Sequence, residues 1–224
     1  MDPSPERDKL IVLYEDGGVV AVDKPAGQLV IPGRGESSSL CLKQECSAYL
    51  GAPVFVVHRI DRETSGVVLF AKDPETHRYL CNAFEKRLVK KEYLAAVMGT
   101  PPPSNGVLES ALREFGSGRV APDPQGKPSR TEYETVGHWS GGALLRIRPV
   151  TGRRHQIRAH LTEMGHPILG DPLYGPVPRP VGGGVRLFLH AHKIQFPLLN
   201  NGVRAVIAEP REDFKSILHI VSAS

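Results

Sequence analysis

An α+β fold is predicted for this chain of 224 residues. Short β-branched runs outnumber helical stretches, turn residues punctuate those runs, and two segments carry a helical spacing with capping residues at their ends. The segments KLIVLYEDGGVVAVDKPAG (9–27) and VFVVHRI (54–60) read as strands broken by Gly, Asp and Pro, and SGVVLFAKD (65–73) continues in the same way. Asp73 and Pro74 then offer an N-cap with proline at the first helical position. In ETHRYLCNAFEKRLV (75–89), Tyr79, Leu80, Ala83, Phe84 and Leu88 have the spacing of one buried helical face.

Six further strands are expected in KKEYLAAVMG (90–99), GVLESAL (106–112), RTEYETVGHW (130–139), ALLRIRPV (143–150), VRLFLHAHKIQF (185–196) and VRAVIAE (203–209). The second helix signal is PVTGRRHQIRAHLTEMGHP (149–167). Thr151 serves as its cap, the helix starts near Arg153, and Gly165 with Pro167 ends it. That register stacks Arg154, Arg158 and Leu161 on one face. TPPPSNG (100–106), APDPQGKP (121–128) and GPVPRPVGGG (175–184) read as surface loops, too short to link domains, so residues 1–224 are expected to form one domain.

Hydrophobic residues make up 40% of the chain and charged residues 23%, an ordinary globular balance that argues against general disorder. No export signal and no membrane-length apolar run is present, and the three cysteines Cys41, Cys46 and Cys81 suit reduced thiols, so a soluble cytoplasmic protein without bound metal is expected. The net charge of +4 alone does not make a nucleic-acid binder. Its distribution says more: from Thr135 to Thr162 there is no Asp or Glu, while Arg146, Arg148, Arg153, Arg154 and Arg158 all fall there. That stretch is either a basic surface for phosphates or a solvated arginine face.

The motifs of nucleotide hydrolysis, serine hydrolysis and zinc chemistry are missing. Gly126-Lys127 lacks the P-loop glycine five residues before Gly126, where Ala121 stands, and there is no G-x-S-x-G, H-E-x-x-H or paired C-x-x-C. His155 with His160, and His190 with His192, read as hydrogen-bonded structural histidines.

VVHRIDRETSG (56–66) sets an aspartate between two arginines. Together with VDKPAGQLVIPGR (22–34), KKEYLA (90–95), GKPSRTEYE (126–134), PVTGRRHQIRAHL (149–161), GHPILGDPLYG (165–175) and LHA (189–191), the segment HRIDRETSG (58–66) resembles the RluA family of pseudouridine synthases, with the motifs in the family's order. The resemblance spans roughly residues 10–210 and implies that family's catalytic fold, a mixed, mainly antiparallel central sheet with flanking helices and a central cleft. It also implies isomerisation of uridine to pseudouridine in structured RNA without any cofactor: the glycosidic carbon–nitrogen bond breaks, the uracil turns, and a carbon–carbon bond forms.

By that resemblance Asp61 is the essential aspartate. An ionised carboxylate serves as nucleophile against the ribose or the ring, or assists removal of a sugar proton. Desolvation in a nucleotide-sized pocket favours its protonated form, and a neighbouring cation opposes this; Arg158 is the implied partner. The resemblance further implies that Arg59 enters the space left by the flipped base, that Tyr93 lies against the uracil and that Ile157 packs the pocket floor, while Ile60 is expected in the core. Lys24 and Pro25 match a mainly structural motif. Arg62, Arg153, Arg154, Lys91, Lys90 and Arg34 are candidate RNA contacts, which position RNA without reading its sequence.

Two departures stand out. The chain is too short before KLIVLY for the small N-terminal RNA-binding module of many relatives, and Arg154 stands where relatives have a smaller polar residue. A non-catalytic RNA-binding protein or chaperone is the alternative reading, and an RNA glycosidase releasing free uracil is a second. Hairpins of large-subunit ribosomal RNA and the transfer RNA anticodon stem-loop are the expected substrates of a monomeric enzyme.

Overall fold

The computed structural model describes residues 10–33, 41–176 and 186–215. Arg34 and most of the 175–184 loop lie outside them. The strands are β1 (Ile11–Glu15), β2 (Val19–Lys24), β3 (Phe55–Val56), β4 (Ser65–Ala71), β5 (Lys90–Met98), β6 (Asn105–Glu114), β7 (Val120–Pro122), β8 (Lys127–Trp139), β9 (Gly142–Pro149), β10 (Leu189–Pro197) and β11 (Val203–Ile207). The helices are α1 (Leu42–Leu50), α2 (Pro74–Glu85) and α3 (Gln156–Glu163). The α+β expectation holds.

The strands form one mixed sheet in the order β1-β2-β4-β10-β5-β9-β8-β6-β7, with β11 beside β10 and β3 beside β4. Among the described residues only the β4–β10 pairing is parallel, and it is short, with Ser65 opposite His190 and Gly66 opposite Ala191. Gly66 has φ +112°, and a Cβ there would overlap the Ala191 backbone, so no other residue lets the strands approach this closely. β4 is buried at every position, which explains its continuous apolar run in place of alternation. One core cluster joins β5, β9 and α3 through Ala95, Val97, Leu145, Ile147, Ile157 and Leu161; another packs α2 residues Leu80 and Ala83 against Leu69 of β4 and Phe196 of β10.

Four expectations are corrected. The strand expected at 54–60 pairs only at Phe55 and Val56. The next β4 amide, Leu69 N–H, is taken by His58 Nε2 at 2.9 Å, so the ladder stops and the chain is free to turn toward Asp61. Helix α2 is capped as expected, with Asp73 Oδ1 accepting from Thr76 N at 2.8 Å, but it ends at Glu85. Arg87, at φ 58°, fills the left-handed position usual for glycine; Leu88 N–H bonds the Ala83 carbonyl and Arg87 N–H the Phe84 carbonyl. A non-glycine residue there costs about 1 kcal/mol, and the turn leaves Leu88 57% exposed instead of on the buried face.

Helix α3 starts three residues late. His155, at φ 50°, precedes it, and Thr151 does not cap it: the Thr151 hydroxyl donates to Gln156 Oε1 at 2.6 Å and accepts from Arg130 N–H. Arg154 therefore lies outside the helix, not stacked with Arg158 and Leu161. Strand β7 is the fourth correction, since it occupies part of an expected loop; helix α1, whose Cys41 N–H is accepted by Gln44 Oε1 at 3.0 Å, had no sequence reading. Cys41 and Cys46 are buried free thiols, as expected.

A buried network ties α3 to β8. Ser129 donates to the Ser110 carbonyl and so accepts from His160 Nε2; Thr131 accepts from Gln156 Nε2, and its own proton is free to go to His160 Nδ1 when that nitrogen is unprotonated. The neutral imidazole is what this pattern needs. Burial pushes the His160 pKa from 6.5 down to about 4, so below pH 6.5 the unfolded chain takes a proton that the fold refuses, and stability falls as pH drops from there toward 4. His160 alone should remove about 2 kcal/mol at pH 5 relative to pH 7. Urea unfolding at the two pH values checks this, and His160→Gln should remove that share of the pH dependence.

Candidate active site

The loop that carries Asp61 is anchored from below by Lys24. This side chain is fully buried, and its Nζ donates to the carbonyls of Pro25, Gln28 and Arg62, each at 2.8 Å. Burial pushes its pKa down to about 7; the three acceptors, which need all three ammonium protons, and the nearby Glu63 and Asp61 charges oppose that push. Gly27 N–H also donates to the Arg62 carbonyl, and Arg62 Nε returns a bond to the Gly27 carbonyl at 3.0 Å. The 25–28 turn and the 61–64 turn are thus stitched into one unit.

Above them sits a chain of charges. Arg158 of α3 has a side chain 2% exposed; its Nε and Nη2 bond Oδ2 and Oδ1 of the buried Asp171 at 2.8 and 2.7 Å, and its Nη1 reaches Asp61 Oδ2 at 3.3 Å. The expected Arg158–Asp61 pair is present, but it is the weaker arm of a triad whose bidentate arm is Asp171. His155 Nε2 also faces Asp61 Oδ2, at 3.8 Å, too long for a hydrogen bond. Its Nδ1 lies 3.0 Å from Tyr174 Oη, which already accepts from Val120 N–H at 2.7 Å. The Tyr174 proton therefore goes to His155 Nδ1, and the neutral imidazole carries its proton on Nε2, toward Asp61. Both neighbours converge on Oδ2, and Oδ1 has no protein hydrogen bond among the described residues.

The carboxylate, its side chain 24% exposed, opens into a cleft of about 690 Å³. Tyr93 and Lys91 of β5, Leu189 of β10, Ile157, Phe84 and the 58–64 loop line it. That volume accepts a nucleoside. Burial, and then the Asp61 charge, raise the Tyr93 pKa, so its hydroxyl is a donor at neutral pH. Its hydroxyl has no bond to the protein among the described residues. Ile60 lines the cleft as well as packing against the core.

The arginine-rich stretch is mostly neutralised by acids from other strands. Arg146 and Arg148 pair with Glu92 and Glu134, Arg154 pairs with Glu114, and Arg158 is bound as above. Of its five arginines, only Arg153 lines the cleft without a carboxylate partner among the described residues. Arg59 and Lys91 line it in the same unpaired state, and desolvation lowers the Lys91 pKa, the mark of a half-buried cation lacking an anion. Arg62 lines it too, but with its guanidinium committed to Gly27. Asp171 and Tyr174 had no role in the sequence reading, and His155, read as a structural histidine, bonds Tyr174 but also lines the cleft facing Asp61; the signal available for Asp171 was that a buried arginine needs more than one acceptor.

A family pattern described as RNA pseudouridylate synthase matches residues 18–163. An uncharacterized RNA pseudouridine synthase of Zymomonas mobilis is 38% identical over 195 residues, covering 84% of this chain and 88% of the relative. The dual-specificity RNA pseudouridine synthase RluA of Escherichia coli K12 is 36% identical, covering 85% and 88%. Human RNA pseudouridylate synthase domain containing 4 superposes with a TM-score of 0.79 at 26% identity, covering 95% of this chain and 93% of that one.

Lys24→Met should leave the Pro25 and Gln28 carbonyls without the Nζ donor and the Arg62 carbonyl with Gly27 N–H alone, at a cost of about 3 kcal/mol, and loosen the Asp61 loop. The expected outcome is a lower urea midpoint together with a loss of turnover larger than at a distant site destabilised equally.

Proposed function

Since the chain belongs to the RNA pseudouridylate synthase family, we propose that its cleft isomerises uridines of large-subunit ribosomal RNA and of the transfer RNA anticodon stem-loop, with Asp61 as the reacting carboxylate. The observation that carries this reading is the placement of Asp61, gripped at Oδ2 by Arg158 and open at Oδ1, beside Tyr93 in a base-sized cleft. RNA isomerisation of uridine to pseudouridine is the reaction of the family; the assignment of atoms, residues and RNA class is our reading.

The target base leaves its stack at a cost of a few kcal/mol, and Arg59, exposed at the rim without a carboxylate partner among the described residues, fills the gap. The uracil lies on the Tyr93 ring with Leu189 and Ile157 beneath it. Asp61 Oδ1 then meets the nucleotide while Arg158 balances the charge left on Oδ2. The glycosidic bond opens, the base turns within a pocket that Tyr93 and Ile157 bound, and C5 takes the place of N1 on the ribose. C5 gives up its proton to solvent or a neighbouring base group and N1 takes one up, so the product is an isomer of the substrate. Lys91 and Arg153 contact phosphates, with Arg154 available beyond its pair with Glu114 and Arg62 contributing mainly through the loop it holds. A single catalytic domain acting as a cytoplasmic monomer completes the reading; a stable dimer in light scattering would overturn the last point.

Asp61→Asn should abolish turnover with RNA affinity within a few-fold, Tyr93→Phe should bind but react slowly, and Arg59→Ala should weaken flipping. Nucleotide-resolution pseudouridine mapping in cells with the gene intact, deleted, or restored as Asp61→Asn tests the whole reading. Sites lost on deletion and regained only with the wild-type gene are expected; an unchanged map counts against it.

A further inference from the structure

We propose that the turn joining α2 to β5, residues 86–90, is a second RNA-docking element that grips the backbone beside the flipped uridine. The proposal rests on the RNA-modifying reading above and extends its contact surface beyond the cleft. Three observations carry it. The turn is placed at the rim, because Phe84 before it and Lys91 after it both line the cleft. Lys86, Arg87, Leu88 and Lys90 are all exposed. None of the three cations has a carboxylate partner among the described residues, whereas Arg130, Arg146, Arg148, Arg154 and Arg186 are each paired with an acid.

The local backbone points the same way. A helix that ends in this pattern ordinarily has glycine at the left-handed position and folds the next apolar residue back onto the helix. Here Arg87 occupies that position, and Leu88 stands 57% exposed between cations. A leucine framed by Lys86, Arg87 and Lys90 matches a surface that meets phosphates around a ribose or a loop base: the charges position the backbone and the apolar side chain covers an unstacked face. An acidic protein patch would offer the charge but no reason for continuity with the nucleotide cleft through Lys91.

The test uses the full chain and two synthetic RNA hairpins, one from large-subunit ribosomal RNA and one a transfer RNA anticodon stem-loop. The triple variant Lys86→Ala, Arg87→Gly, Lys90→Ala removes the charges and keeps the left-handed backbone easy at position 87; Leu88→Ser is tested separately. The expected result is an affinity loss of about tenfold or more for the triple variant and a salt dependence flatter by about two contacts. Leu88→Ser should weaken binding without changing the salt slope. Unchanged RNA affinity and slope in the triple variant overturn the proposal, as does a loss seen only for anionic phosphatidylglycerol vesicles. If wild type binds the hairpins through these residues yet forms no pseudouridine, docking stands and the catalytic reading fails.

Discussion

The buried guanidinium of Arg158 is the group around which the site is arranged. Removing such a charge from water is costly, and the protein repays it with two carboxylates, one of them fully enclosed and held bidentately. Asp171 is in turn fixed by accepting from the backbone amides of Leu173 and Tyr174 at 2.9 and 3.0 Å. Asp61 needs only one oxygen for the remaining arm, which is why it can serve the ion pair and still face the cleft. A lone Arg158–Asp61 pair would have to choose between orienting the carboxylate and freeing it.

Lys24 performs the matching task on the other side of the loop. It joins two turns that are far apart in the sequence by gathering their carbonyls around a single ammonium, so backbone groups with no ladder to join are satisfied without solvent. The loop is irregular where chemistry needs it and anchored where it does not. His58 contributes by ending β3 early: its imidazole takes a sheet amide, and the strand is traded for a turn that aims Asp61 into the cleft.

Much of this was legible in the sequence. Strand runs, the Asp73-Pro74 cap and the α+β class follow from local patterns, and the Asp61, Tyr93 and Arg158 set emerges in one cleft. What local patterns misjudged were tertiary substitutions. The periodicity that put Leu88 on a buried face continued past a helix end set by Arg87, a residue with no glycine-like signal. The acid-free stretch from Thr135 to Thr162 looked basic because its neutralising partners, Glu92, Glu114 and Asp171, come from outside that stretch, and Glu134 sits just before it on β8. Asp171 was quoted within a motif but had no assigned task, since only the fold reveals how deeply Arg158 is buried.

The short parallel contact between β4 and β10 joins residues 65 and 66 to residues 190 and 191. Every other strand pairing among the described residues is antiparallel, and many can close between neighbours in sequence. This one has to wait for a loop of more than a hundred residues to be drawn in, a closure with a large entropic cost. During synthesis, the Asp61 loop therefore leaves the ribosome well before the strand that Gly66 packs against. A nascent chain carries Asp61 before β10, which supplies Leu189 to the wall of the cleft, and the cleft is completed only once that strand has been made.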